Sequence, residues 1–200
     1  MAMISDRFVF IHIPKTGGQF FREVVSRLKI PHHEFGDRSV PLNLRYHQAL
    51  SELPTAVTKD RFVFGFVRNP LTWVVSRWAW NLQRKGPDFG QMRFDQGHRD
   101  SLAFVRKDFS EYLDLMLAHR PNTPTIEMWD KLTGTKNIYR FEELQPSIVS
   151  ILRKLGYPVP PSFLKKILRK NVSNEKPTLT RDQEEQLRAA NADMFRHFGY

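Results

Sequence analysis

Phe8-Val9-Phe10-Ile11-His12-Ile13-Pro14-Lys15-Thr16-Gly17-Gly18-Gln19, continuing as Phe20-Phe21-Arg22-Glu23-Val24-Val25, decides the fold class of this chain. An apolar run of strand length stops at Pro, Lys and two glycines, and a helical pattern starts at once. In a strand, glycine turn and helix joined this tightly, backbone N–H groups and the helix N-terminus face one spot and favour an anion there. Lys15 adds a full positive charge. The plain alternative is a strand–helix turn with an exposed lysine, since Lys and Gly are both common in turns.

A second run, Phe62-Val63-Phe64-Gly65-Phe66-Val67, repeats the pattern: like the run from Phe8 it follows Asp-Arg, and it leads through Arg68-Asn69-Pro70 into a helix. Near-continuous hydrophobicity in both runs predicts strands buried on both faces, as in a parallel α/β sheet. Ile138-Tyr139-Arg140-Phe141 is a shorter strand candidate. The periodicity predicts helices at about 19–28, 70–83, 109–119, 145–155 and 180–196. Pro70 and Pro146 suit first-turn positions, and Thr180 with Gln183 has the form of a capping box. Residues 84–107 and 157–179 read as irregular excursions, of a length that is more often functional than idle. The expectation is a single domain over 1–200, with a central parallel sheet flanked by helices.

Composition sets outer bounds. The chain has 200 residues, no Cys and a net charge of +10 from 31 basic and 21 acidic residues. Thiol chemistry and disulfides are excluded, and the positive field favours an anionic partner without naming it. No run is long enough to span a bilayer, and the N-terminus lacks the form of a secretory signal. A cytoplasmic, bacterial protein is the expectation; oligomeric state is not legible.

The anion can be narrowed. A nucleotide-hydrolysing P-loop reads G-x-x-x-x-G-K-[ST], whereas here Lys15-Thr16 precede Gly17-Gly18, and the run at 61–67 leads to Arg68 instead of an acidic residue. Magnesium-assisted nucleotide hydrolysis is therefore disfavoured. Arg68 follows a strand at the edge where α/β sheets bind ligands, and guanidinium pairs well with phosphate. Ser76, two turns along the next helix, can add a hydrogen bond to the same group, although a lone helical serine more often bonds back to its own preceding turn.

Ile13-Pro14-Lys15-Thr16-Gly17-Gly18, with Phe66-Val67-Arg68-Asn69-Pro70 and Ser76 following, resembles the two signature motifs of sulfotransferases. The likeness is to the carbohydrate branch that includes heparan sulfate 2-O-sulfotransferase and its bacterial relatives. Tyr139-Arg140-Phe141-Glu142-Glu143-Leu144, Asn171-Val172-Ser173 and Phe195-Arg196-His197-Phe198-Gly199-Tyr200 are also similar to that family. The resemblance implies a P-loop-like sulfotransferase fold. It implies that Lys15, Thr16, Gly17, Gly18, Gln19 and Phe20 cradle the 5′-phosphosulfate of PAPS (3′-phosphoadenosine 5′-phosphosulfate). It further implies that Arg68 and Ser76 hold the 3′-phosphate, that Asn171, Ser173 and Lys176 cover the adenosine, and that PAP is the product. Two positions depart from the pattern: Gln19-Phe20 stand where the family has Thr-Ser, and Thr72-Trp73 where it has Asp-Arg.

Sulfuryl transfer needs positive charge at the leaving phosphate, a task for Lys15, and a base for the acceptor hydroxyl. Seven histidines are available. His12 reads as a packed strand residue, and His119 and His197 suit helix C-termini. The resemblance places the family's base near His47, with His33 in reserve; an exposed helix histidine is the plain reading of His47. No metal is expected, because His32-His33-Glu34 lacks ligand spacing. The acceptor implied is a carbohydrate or another hydroxyl-bearing molecule. Two alternatives stay open: a nucleotide-binding protein of this fold without transferase activity, and a basic nucleic-acid binder stacking bases on Trp73, Trp78 and Trp80.

Overall fold

The computed structural model describes residues 2–35, 49–85, 108–160, 163 and 177–200. His47, Asn171, Ser173 and Lys176 lie outside the described residues, as does most of the two excursions. The chain divides into two compact units: Met1–Arg68 with Ile126–Asn171, and Asn69–Thr125 with Val172–Tyr200.

The first unit carries β1 (Ala2–Ile4), β2 (Phe8–Ile11), α1 (Gly18–Arg27), β3 (His33–Phe35), a short helix α2 (Thr55–Thr58) and β4 (Phe62–Val67). Further along the chain the second unit holds α3 (Pro70–Lys85) and α4 (Phe109–His119), after which β5 (Ile138–Arg140) and α5 (Leu144–Lys154) return to the first. Helices α6 (Arg181–Ala190) and α7 (Ala192–Phe198) complete the second unit.

The five strands form one sheet in the order β3-β1-β2-β4-β5. Pairs β2–β4 and β4–β5 are parallel, as the buried runs predict, with Ile11 opposite Gly65 and Gly65 opposite Ile138. The expected central parallel sheet is corrected at one side: β1 pairs antiparallel with both β2 and β3, so the sheet is mixed. Only Ser5-Asp6-Arg7 separate β1 from β2, too few residues for the crossover that a parallel pair requires. The Ser5 hydroxyl closes that hairpin by accepting from the Arg7 and Phe8 amides at 3.1 and 2.9 Å.

The core follows from strand period. Phe8 and Phe10 share one face of β2, and Phe64 and Phe66 the matching face of β4. Phe21 of α1 packs among them, its centroid 4.6 Å from Phe10 and 5.3 Å from Phe64. Val24 and Val25 of α1 and Ile148, Ile151 and Leu152 of α5 complete the cluster. Such aromatic pairs add about 0.5–1.5 kcal/mol each to the burial of their area. Gly65 is required by the opposite face, where a Cβ would stand 2.4 Å from Leu132.

In the second unit α3, α4 and α6 pack on one another. Trp73, Val74 and Trp78 of α3 and Leu113 and Met116 of α4 are buried, as is Leu187 of α6. Pro70 opens α3, and Thr180 caps α6 in a reciprocal box with Gln183. The single helix expected at 180–196 is instead two, broken at Asn191. Its buried side chain donates to the Pro121 and Leu187 carbonyls at 2.9 Å each and accepts from the Thr125 amide and hydroxyl at 3.1 and 2.8 Å. That set of partners holds the corner between α6 and α7. Among the described residues, no helix is long and apolar enough to cross a membrane.

Candidate functional site

The glycine turn leaves the carboxyl end of β2 and enters α1 directly. Gly17 is the N-cap, at φ 89° and ψ 7°, with no side chain capping the helix and no acidic residue in its first turn. The amides of Phe20 and Phe21 return to the Gly17 carbonyl at 2.9 and 3.1 Å. Helix geometry leaves the Gly18 and Gln19 amides ahead of the first intrahelical carbonyl, where an incoming anion can accept from them.

Both glycines are dictated by what lies behind the turn. A Cβ at Gly17 would meet the Leu144 side chain at 2.6 Å and Phe141 at 3.2 Å, and its positive φ disfavours any L side chain. A Cβ at Gly18 would lie 2.0 Å from Cδ2 and 2.3 Å from Nε2 of His12. The His12 ring stacks on Phe10 at 6.1 Å and 24°. Burial, with the positive charges of the chain's amino terminus and of Arg22 adding, pushes its pKa down to about 3, so the imidazole is neutral at physiological pH. His12 is thus more than a strand residue: it follows β2 and packs on the anion turn.

Thr16 is fully buried, and its hydroxyl donates inward to the Ile13 carbonyl at 3.0 Å. It closes the turn; what it can offer a ligand is its backbone amide. Lys15 is half-buried and takes a positive φ of 66°, a conformation strained for a residue with a Cβ. Gln19 is exposed, whereas Phe20 packs partly against the core.

Arg68 follows β4, the parallel neighbour of β2, so it leaves the sheet at the same carboxyl edge as the glycine turn. Its Nη1 donates to the Lys15 carbonyl at 3.3 Å, and its guanidinium carbon stands 4.5 Å from the centre of the Phe141 ring. The structure therefore brings together Lys15, the Gly18 and Gln19 amides, and Arg68 from segments 53 residues apart. The Arg68 guanidinium beside the Lys15 backbone, and a helix N-terminus free of acidic residues, are groups suited to a dianion or a phosphate ester.

Within the first unit, His33 falls elsewhere. His33 opens β3 opposite Ile4, and Ile4 pairs with Val9 near the start of β2. That position is at the sheet end away from the turn, where His33 lines a concavity of about 320 Å³ with Ser5, Asp6, Pro31, His32 and Arg61. Ser76 is buried in α3 of the second unit. There Trp73 and Trp78 are core residues 1% and 5% exposed, which withdraws two of the three faces considered for base stacking. Arg77 lies over the third, Trp80, at 5.4 Å. No three His, Asp or Glu side chains among the described residues are grouped to hold a metal ion.

Sequence reasoning missed His12, Phe141 and Leu144 as supports of the turn. The only local signal was the pair of glycines, which demand close neighbours without naming them. Compared with known proteins, the chain matches no family model, and no curated sequence is significantly similar to it.

Proposed function

We propose that this protein is a PAPS-dependent sulfotransferase acting on an acceptor hydroxyl, of a carbohydrate in the first instance. The observation that carries the proposal is the convergence of the Lys15–Gln19 turn and Arg68 at the carboxyl edge of two parallel strands. The resemblance of both segments and of Ser76 to sulfotransferase motifs supports the same reading. In it the Gly18 and Gln19 amides and the Lys15 ammonium hold the 5′-phosphosulfate, and Arg68 holds the 3′-phosphate. The shares of Ser76, and of Asn171, Ser173 and Lys176 over the adenosine, rest on the motifs alone.

PAPS supplies the sulfuryl group when bound. Lys15 neutralises charge on the phosphate oxygen from which that group departs, and a preorganised cation in a partly desolvated site does so without reorganisation. The acceptor hydroxyl gives up its proton as its oxygen bonds to sulfur, and His47 is the base proposed to take it. The excess of Arg and Lys over Asp and Glu suits an anionic glycan acceptor.

Calorimetry with PAP tests the cofactor assignment. The expected result is micromolar binding, weakened at least about tenfold by Lys15→Ala and by Arg68→Ala, the loss typical of a charge-assisted contact. A parent protein that does not bind PAP refutes the proposal. Binding of PAP without transfer of sulfate to any glycan would leave the second reading, a nucleotide-binding protein of this fold.

A further inference from the structure

Phe141 opens the helical turn Phe141–Glu143 immediately after β5 and is not accounted for by either phosphate motif. Its ring serves two neighbours at once. The Arg68 guanidinium lies over it at 4.5 Å, and its edge closes on Gly17, where an added Cβ would be 3.2 Å away. Leu144, one turn further, fills the other side of Gly17. Arg68 is thereby held between an aromatic face and the Lys15 carbonyl.

A long arginine side chain that is mobile before binding loses rotamer freedom when it grips an anion, and a fixed one does not. A cation over an aromatic ring is attracted by the ring's quadrupole, most strongly where water is partly excluded. Here Arg68 is half-buried, and the ring beneath it also abuts the anion turn. We propose that Phe141 is a positioning residue of the anion site, its ring holding the Arg68 guanidinium beside the glycine turn before ligand arrives. The inference rests on the proposed PAPS site, and it makes the β5–α5 junction a third structural member of that site.

A double-mutant cycle read by PAP calorimetry tests it. Phe141→Leu keeps apolar bulk against Gly17 but removes the ring, and should weaken PAP binding roughly five- to thirtyfold. Phe141→Tyr keeps the ring and should stay within about twofold of the parent, given the same contact. In an Arg68→Ala background, Phe141→Leu should cost less than about a further twofold, because the partner it positions is gone. A purely packing role would lower affinity by the same factor in both backgrounds. Equal factors, unchanged affinity in Phe141→Leu, or equal losses in Leu and Tyr variants each overturn the inference. If Phe141→Leu does not fold by circular dichroism, Phe141→Met carries the same cycle. A parent that binds no PAP overturns the proposed function and this inference together; a parent that binds with additive losses overturns this inference alone.

Discussion

Replacing Gly18 with alanine is the sharpest test of how the anion turn is built. The φ of Gly18 is not positive, so alanine suits the backbone, and alanine inside a helix is ordinarily favoured over glycine by about 0.5–1 kcal/mol. Against that gain, the new methyl would sit 2.0 Å from His12 Cδ2 and 2.3 Å from Nε2, where ordinary contact begins at 3.4 Å. The imidazole must retreat by more than an ångström, which disturbs its stacking on Phe10. An off-rotamer ring, a disturbed stacking contact and a shifted helix start together predict a net loss of about 2–4 kcal/mol. With a urea m-value of about 2 kcal/mol/M, the unfolding midpoint should fall by about 1–2 M. The same substitution in a His12→Ala background removes the obstacle and should be neutral or stabilising relative to His12→Ala alone. A Gly18→Ala midpoint within about 0.3 M of the parent, well below the shift that slope predicts, would refute the account. So would an equal loss in both backgrounds.

The depressed pKa of His12 carries a pH signature. The unfolded chain takes up a proton near pH 6.5 while the folded chain holds His12 neutral to about pH 3, so stability falls as pH drops through that window. The slope is about 1.4 kcal/mol per pH unit from this group, and urea titrations should show it flattened in His12→Gln; parallel pH profiles for parent and variant would remove the assignment. Asn191→Ala leaves the Thr125 amide and Pro121 carbonyl without their buried partner and should cost about 2–4 kcal/mol, read from thermal or urea unfolding. Thr180→Ala opens the α6 capping box and should cost about 1 kcal/mol, with Thr180→Ser restoring most of it.

What the sequence reveals of the fold depends on where each strand gets its stability. Strands β2 and β4 are made of apolar side chains buried in the sheet, so their runs are legible, as are α1, α3, α4 and α5 from periodicity and caps. Strand β1 is three residues long, and β3 is His33-Glu34-Phe35, largely exposed. Its order comes from the backbone ladder to β1, which no side-chain pattern records. The break at Asn191 is hidden for a related reason: its partners Pro121 and Thr125 are about 70 residues away in the chain. At the anion site, the loop and Arg68 are legible as motifs because one segment or strand end carries each. The contacts of His12 with Gly18, and of Phe141 with Gly17 and Arg68, are not. They are tertiary, and a histidine or phenylalanine beside a strand looks the same whether or not a glycine lies against it.

The positive φ of Lys15 has a bearing on how this protein responds to selection for stability. Of the three non-glycine residues with positive φ among the described residues, Lys29 directly follows the C-cap of α1 and Asp60 precedes β4, while Lys15 alone stands in the glycine turn. A left-handed lysine is less favourable than glycine there by about 1 kcal/mol. A screen scored on thermal resistance alone would therefore drift toward glycine at position 15 and erase the ammonium that gives the turn its charge. In the proposed reading the strained backbone marks a residue kept for its ammonium, and thermostabilised descendants of this chain should be sequenced at that codon before their PAP binding is judged.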